Sequence, residues 1–241
     1  RFFSSAALFD YIFTVDGNSV PRYRALIGPA VRVAPLMFAV QPSIHSPSPN
    51  GYVHRRACFV GSFNWSIHDR RRSWQDILFA ASAKVGLTVF DRNSNRRLPN
   101  YRYPDLPWLE VRPGVHHTKT AQIYRDYMIS LNVNTVEGSA TMFSRRLIEI
   151  LACGGLAVTT PAISVDRYFS EYCYVVSGEE EARDLLGRFK NGLTPRDRHM
   201  IAAGAEYVLK EHSWAHRLEE VMTVISRKAK SVNCSGVSVG G

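Results

Sequence analysis

The order of apolar runs along the chain predicts an α/β fold built on a doubly wound parallel sheet, and three observations carry that expectation. Short runs of strand length alternate with stretches of helical period along most of the 241 residues. Glycine and proline punctuate the junctions. The segment from Thr141 to Thr160 then joins an amphipathic helix, a Gly154-Gly155 stop and a buried strand in one short stretch. Such alternation puts helices on both faces of a parallel sheet, and ligands of that architecture bind at the carboxyl ends of its strands.

Taken in order, residues 10–16 read as a strand, Val20 to Ile27 as a short helix ended by Gly28-Pro29, and Val31 to Ala39 as a second strand. Gln41 to Gly51 is rich in proline and serine, the chemistry of a linker. The alternation then restarts with strand 57–60 ending at Gly61-Ser62, helix 70–84, strand 86–90 and an irregular, tyrosine-rich loop from Arg92 to Pro107. Helix 118–127 runs into strand 128–133, the helix capped by Ser139 or Thr141 follows, and strand 156–159 comes next. A turn of helix at 165–169, strand 172–176 and helix 179–190 lead to a long helical pattern from Pro195 to about Lys230, broken near Glu211 to Trp214. The predicted division is a remnant of a first domain plus linker over residues 1–50, a ligand-binding domain over 51–230 and a flexible tail over 231–241. Two strands are too few for a complete first domain, so the chain reads as the C-terminal part of something longer.

Composition narrows the class. Hydrophobic residues make up 45% and charged ones 21%, an ordinary globular balance. No apolar run approaches the roughly 20 residues needed to cross a bilayer, and no secretory leader pattern opens the sequence, so a cytoplasmic protein is expected. The four cysteines form no Cys-x-x-Cys pair, which favours reduced structural thiols over a zinc site. A net charge of +9, from 30 basic and 21 acidic residues, suits phosphates or anionic polymers as partners.

Glu149 stands out because it lies mid-helix beside Ile148, Leu151 and Ala152, where a carboxylate is costly unless it is paired or hydrogen-bonded. Four segments then come into one frame: Phe59-Val-Gly-Ser62, Ile129-Ser-Leu-Asn132, Ser144-Arg-Arg-Leu-Ile-Glu149-Ile-Leu-Ala-Cys-Gly-Gly155 and Glu211-His-Ser-Trp-Ala-His-Arg217. In that order and spacing they resemble the C-terminal half of GT-B glycosyltransferases, and within these the CgeB-like, spore-maturation type. The resemblance covers residues 10–225 and implies a GT-B type, Rossmann-like donor domain after an acceptor-side remnant. It also implies a nucleotide-diphosphate sugar as donor, an unknown acceptor and no obligatory metal or other cofactor.

On that resemblance Glu149 is the acceptor for the donor's ribose hydroxyls, matching the second glutamate of a Glu-x7-Glu pattern; Thr141 stands where the first glutamate would be. A pyrophosphate calls for helix-start amides and guanidinium groups, and Gly61, Ser62, Arg70, Ser139, Thr141, Met142, Arg145 and Arg146 are the candidates. Plain readings stand beside these: a cap at Ser139, an intrahelical salt bridge from Arg145 or Arg146 to Glu149, and solvated arginines at 70–72. His116 and Tyr124 are candidates for holding the base, Asp16 and His45 are the local acid-base groups, and His212 and Trp214 are expected to pack the last helices. No catalytic residue is assigned and no metal ligand set is found.

Dehydrogenase, P-loop and zinc-hydrolase motifs are absent from the sequence. An epimerase of the same fold and a basic module binding nucleic acid are the rival readings, and neither accounts for Glu149 together with the Gly-Gly stop.

Overall fold

A computed structural model describes residues 5–6, 8–28, 31–63, 68–96 and 98–233. Near the start, strand β1 (Tyr11–Thr14), helix α1 (Val20–Ile27) and strand β2 (Arg32–Pro35) form a single βαβ unit with a two-stranded parallel sheet. The main body is a six-stranded sheet of β3 (His54–Val60), β4 (Leu87–Asp91), β5 (Leu109–Pro113), β6 (Tyr127–Asn132), β7 (Leu156–Thr159) and β8 (Tyr174–Val175). Every pair in it is parallel, and the order is β5-β4-β3-β6-β7-β8. The connections therefore reverse direction between β3 and β6, and a crevice opens at that switch point at the carboxyl ends of the strands.

The central strands are apolar on both faces because helices cover both. All six residues of β6 and all four of β7 are buried. Helices α2 (Asp69–Ala81) and α6 (Glu179–Arg188) set Trp74, Leu78, Phe79, Ala182 and Leu186 against one face. On the other face lie α3 (His117–Asp126), α4 (Arg145–Ala152), α5 (Ile163–Tyr168) and α7 (Pro195–Glu211), with Tyr124, Leu147, Leu151, Val165 and Val208 in the core. The doubly wound architecture expected from the sequence is thus present.

Helix α4 stops where the sequence places the stop. Gly154 takes φ +71, a conformation that only glycine adopts without strain, and the amides of Gly154 and Gly155 close the turn on Leu151 O and Ile150 O. Helix α8 (Trp214–Asn233) follows α7 after a break at His212 and Ser213, as the pattern predicts. Residues 231–233 complete α8 instead of opening a flexible tail, and residues 234–241, with Cys234, lie outside the described ones. At the break, Val40 N donates to His212 O (2.8 Å) and Trp214 N to Val40 O (3.0 Å), a parallel bridge that brings the end of the chain back to the segment after β2.

Strand β5 is a departure: the sequence reading leaves residues 108–113 unassigned. Leu109-Glu-Val-Arg-Pro113 alternates in the sheet's edge position, where Glu110 and Arg112 face solvent and pair with each other at 2.7 Å. Its short, charged alternation after a proline-rich loop carries little of the signal that a buried strand does. Cys58, Cys153 and Cys173 are buried free thiols, each pushed up to about 12 by burial, so they stay protonated and structural. Among the described residues no helix is long and apolar enough to cross a membrane.

Candidate functional site

A cleft of about 860 Å³ opens over the ends of β3 and β4, with Gly61, Ser62, Arg71 and Arg146 among its walls. Gly61 ends β3 with its N–H on Phe90 O (3.1 Å). A Cβ there would stand 2.8 Å from the Phe59 ring and 3.3 Å from the Arg146 guanidinium, so the missing side chain lets Arg146 lie over the turn.

Arg146, the second residue of α4, is half-buried with its guanidinium 5.1 Å from the Phe59 ring centroid. Its Nη1 reaches Asn132 Oδ1 and Ser144 Oγ, each at 3.4 Å. A buried amide network holds that end of the sheet: Asn132 donates to Thr159 Oγ1 (2.8 Å), Asn134 donates to Thr160 O (2.6 Å), and Asn134 Oδ1 accepts the Ser144 amide (2.9 Å). The same residues that order the start of α4 therefore aim its arginine.

Arg71, on the first turn of α2, faces Arg146 across the cleft. Burial, and then the nearby Arg146 charge, bring its guanidinium down to about 10. Burial also lowers that of Arg146, where the Tyr124 and Glu149 groups oppose the fall and Arg145 adds to it. Neither arginine has a carboxylate within ion-pairing distance among the described residues. Two desolvated cations held together without an anion are costly, and a bound anion relieves the cost.

Glu149 is 9% exposed, and its Oε1 pairs with Arg145 Nε at 2.9 Å one turn back along α4. The intrahelical salt bridge is therefore made by Arg145, while Arg146 turns to the cleft. Arg146, Glu149 and Tyr124 meet in a side recess of about 270 Å³, with His117 and Thr120 at its mouth. A further cavity of about 460 Å³ runs from Glu149 and Arg145 past His45 and Trp214 to Phe13 and Val15. In it His45 Nδ1 accepts the Gln41 amide (3.4 Å), and burial lowers the imidazole's pKa against the pull of Glu149.

Other predicted residues sit elsewhere. Helix α4 begins at Arg145, not at Ser139 or Thr141, so the amides of residues 139–142 are not its first turn. The cause is a tertiary dock. Ser139 Oγ donates to Asp16 Oδ1 (2.7 Å) and accepts the amides of Met142 (3.0 Å) and Thr141 (3.4 Å). Thr141 Oγ1 donates to Val15 O (2.9 Å) and accepts the Gly17 amide (2.8 Å), and Asn18 Nδ2 donates to Gly138 O (2.9 Å). The loop before α4 is thus fastened to the turn after β1, and Asp16, which also accepts the Asn18 amide, is a capping and docking residue.

Arg70 is likewise engaged. Its Nε and Nη2 reach the two oxygens of Glu137 at 2.9 and 3.4 Å, the guanidinium stacks on Trp74, and Trp74 Nε1 donates to the same carboxylate. Its neighbour Arg71 meets the cleft instead. Tyr124 is buried at the recess, as expected for a core tyrosine that lines a site. His116 directly precedes α3 with its ring bonded to Thr118 Oγ1 and to no helix amide, and it is His117 that lines both the cleft and the recess. His212 is buried among Phe143, Phe169 and Tyr207, and burial, with Arg217 beside it, lowers it to about 3; Trp214 is half-exposed. Among the described residues no three His, Cys, Asp or Glu side chains converge as metal ligands would.

A family described as glycosyl transferase-like matches residues 70–223. No curated protein sequence matches the chain. Among solved structures it is similar to sucrose-phosphate synthase from Thermosynechococcus elongatus, with 14% identity and a TM-score of 0.65 over 96% of this chain and 61% of that one. HepE of Anabaena, solved in complex with UDP and glucose, shares 11% identity with a TM-score of 0.62, over 94% of this chain and 66% of that one. The C-terminal domain of the group 1 glycosyl transferase LpcC from Francisella tularensis gives 14% identity and a TM-score of 0.50, over 73% of this chain and 100% of that one. At these identities the likeness is one of fold, the GT-B type. The chain spans 61% and 66% of the length of the first two structures.

Proposed function

Since the chain belongs to the glycosyl transferase-like family, we propose that it carries the donor half of a glycosyltransferase, which moves a sugar from a nucleotide-diphosphate carrier to an acceptor. One observation carries this reading: Arg71 and Arg146 converge, half-buried and without a carboxylate, on the cleft at the sheet's switch point. A pyrophosphate is the anion that such a pair fits, and the developing charge of a departing diphosphate is what it would stabilise. Glu149, held in place by Arg145, then accepts the ribose hydroxyls in the adjoining recess, which Tyr124 and His117 border. HepE's complex with UDP and glucose supports a nucleotide sugar as the ligand class. Within the family the motif order supports the CgeB-like type, and a cytoplasmic location belongs to the same proposal.

The test is calorimetric titration of the chain with UDP, GDP, CDP, ADP and their sugar conjugates at fixed salt. Selective binding of one diphosphate supports the reading, and silence across the panel from a folded sample overturns it. Glu149→Gln is expected to weaken that binding about ten- to a hundredfold, the scale of charged hydrogen bonds, and an unchanged affinity would remove Glu149 from the site. Guanidinium groups take the role of the cation in this reading, so chelation with EDTA is expected to leave diphosphate affinity unchanged; a large loss would assign the pyrophosphate to a metal instead.

A further inference from the structure

The charge of the cleft exceeds what a diphosphate requires. Among the described residues its walls carry five arginines, Arg71, Arg92, Arg96, Arg145 and Arg146, and no aspartate or glutamate. Arg145 is neutralised by Glu149, and the inner pair Arg71 and Arg146 matches the two phosphoryl groups of a diphosphate. Arg92 and Arg96 remain at the mouth, and neither forms an ion pair with a carboxylate among the described residues.

The backbone that carries these two exposed arginines is a built loop. Asp91, fully buried at the end of β4, accepts the Asn93 amide at Oδ1 (2.8 Å) and the Tyr103 hydroxyl at Oδ2 (2.8 Å). Its carbonyl accepts the amides of Ser94 (3.1 Å) and Gly114 (2.9 Å). Gly114 lets the two loops touch backbone to backbone, since a Cβ there would fall 2.6 Å from Arg92 N. The Arg96 guanidinium is spread over the Tyr101 ring at 5.0 Å, with Nη1 on the Tyr101 hydroxyl at 3.2 Å, leaving its other donors for a ligand.

Resting on the proposed function, we infer that Arg92 and Arg96 form a second anion subsite, which receives a carboxylate or phosphate carried by a reactant in addition to the donor's diphosphate. That group belongs either to the transferred sugar or to the acceptor. A neutral sugar and a neutral acceptor would leave both mouth arginines without a function in the cleft.

The experiment uses the unmodified chain and the nucleotide that binds best in the panel above, written here for UDP. If the anion is on the sugar, UDP-glucuronate binds at least tenfold tighter than UDP-glucose, and the ratio falls towards one in 0.5 M salt or in the Arg92→Gln/Arg96→Gln variant, with UDP affinity itself within about threefold of the parent. If the anion is on the acceptor, the UDP-loaded chain binds glucose 6-phosphate or free glucuronate but not glucose, and the double variant loses that binding. UDP binding with no preference for either acidic probe overturns the inference and leaves the proposed function standing. Absence of nucleotide binding overturns both. The probe comparison in the parent chain needs no variant, so a misfolded substitution does not affect the outcome.

Discussion

Arg146→Met is expected to lower nucleoside diphosphate affinity about a hundredfold while leaving thermal stability unchanged or slightly raised. The two effects have one cause. Without a bound anion the guanidinium sits desolvated near Arg71, held among the described residues by two long hydrogen bonds of 3.4 Å and the Phe59 ring, and Glu149 offsets the cost only in part, so an apolar side chain of similar length removes a poorly compensated charge. In the complex the same change deletes charge-assisted hydrogen bonds worth about 1.5–3 kcal/mol, and more where water is excluded. Calorimetric affinity and a melting curve on the same sample check this. A fall in both would make Arg146 a structural residue, and a fall in neither would remove it from the site.

Asp197→Ala is expected to destabilise the fold by about 3–5 kcal/mol, a large fraction of what a domain of this kind has. Asp197 is fully buried at the first turn of α7, where it accepts the Tyr174 hydroxyl (2.6 Å), the Thr194 amide (2.7 Å) and the Arg188 guanidinium (3.1 Å), and its own amide is capped by Thr194. One carboxylate thus ties β8, α6 and α7 together, and its loss leaves the Arg188 side chain and the Tyr174 hydroxyl without their partner. Burial pushes its pKa up, but the hydrogen bonds from Tyr174, Thr194 and Arg188 outweigh that and hold it at about 2 against an ordinary 3.8. The folded-state value is the lower one, so the contribution is complete above about pH 4 and is lost as pH falls towards 2. The difference corresponds to about 2 kcal/mol. Denaturant titrations at neutral and acid pH check both statements: the parent should lose that increment on acidification over and above what the variant loses through its other carboxylates, Glu110 and Glu137 among them. A neutral-pH change below about 1 kcal/mol would show that the neighbours repack.

Much of the architecture was legible because period and punctuation are local. The stretch Ala57 to Val60 of β3 and the buried strands β6 and β7 are short, mostly apolar runs, and Gly154-Gly155 and the Glu211 to Trp214 break mark helix ends at the places observed. What failed depends on distant partners. Nothing near Arg70 in the sequence says that Glu137, 67 positions away, will take it and leave Arg71 for the cleft, although adjacent residues on a helix point about 100° apart. Ser139 and Thr141 carry all the marks of a helix cap, and their hydroxyls are instead used by Asp16, Val15 and Gly17, more than 120 positions away. The His116-His117 pair shows the same limit: the sequence locates the pair, and the start of α3 decides which ring faces the cleft. Glu149 needed no such information, since an acid on an apolar helix face is anomalous wherever the helix lies.

The bridge between Val40 and Ser213 ties the segment after β2 to the break between α7 and α8. The chain leaves the two-stranded sheet through the segment after β2, and its later return at residues 212–214 is hydrogen-bonded to that same segment. The same segment is held by Arg125, whose guanidinium donates to Ile44 O (2.6 Å) and Ser46 O (2.7 Å), and by Phe38 against the Phe143 ring, so it belongs to the body of the six-stranded sheet. The contacts of residues 15–18 with residues 138–141 then act as a latch made of small polar groups, each worth about 0.5–1.5 kcal/mol. Breaking these four bonds parts the turn after β1 from the loop before α4 and leaves the helices around the cleft packed.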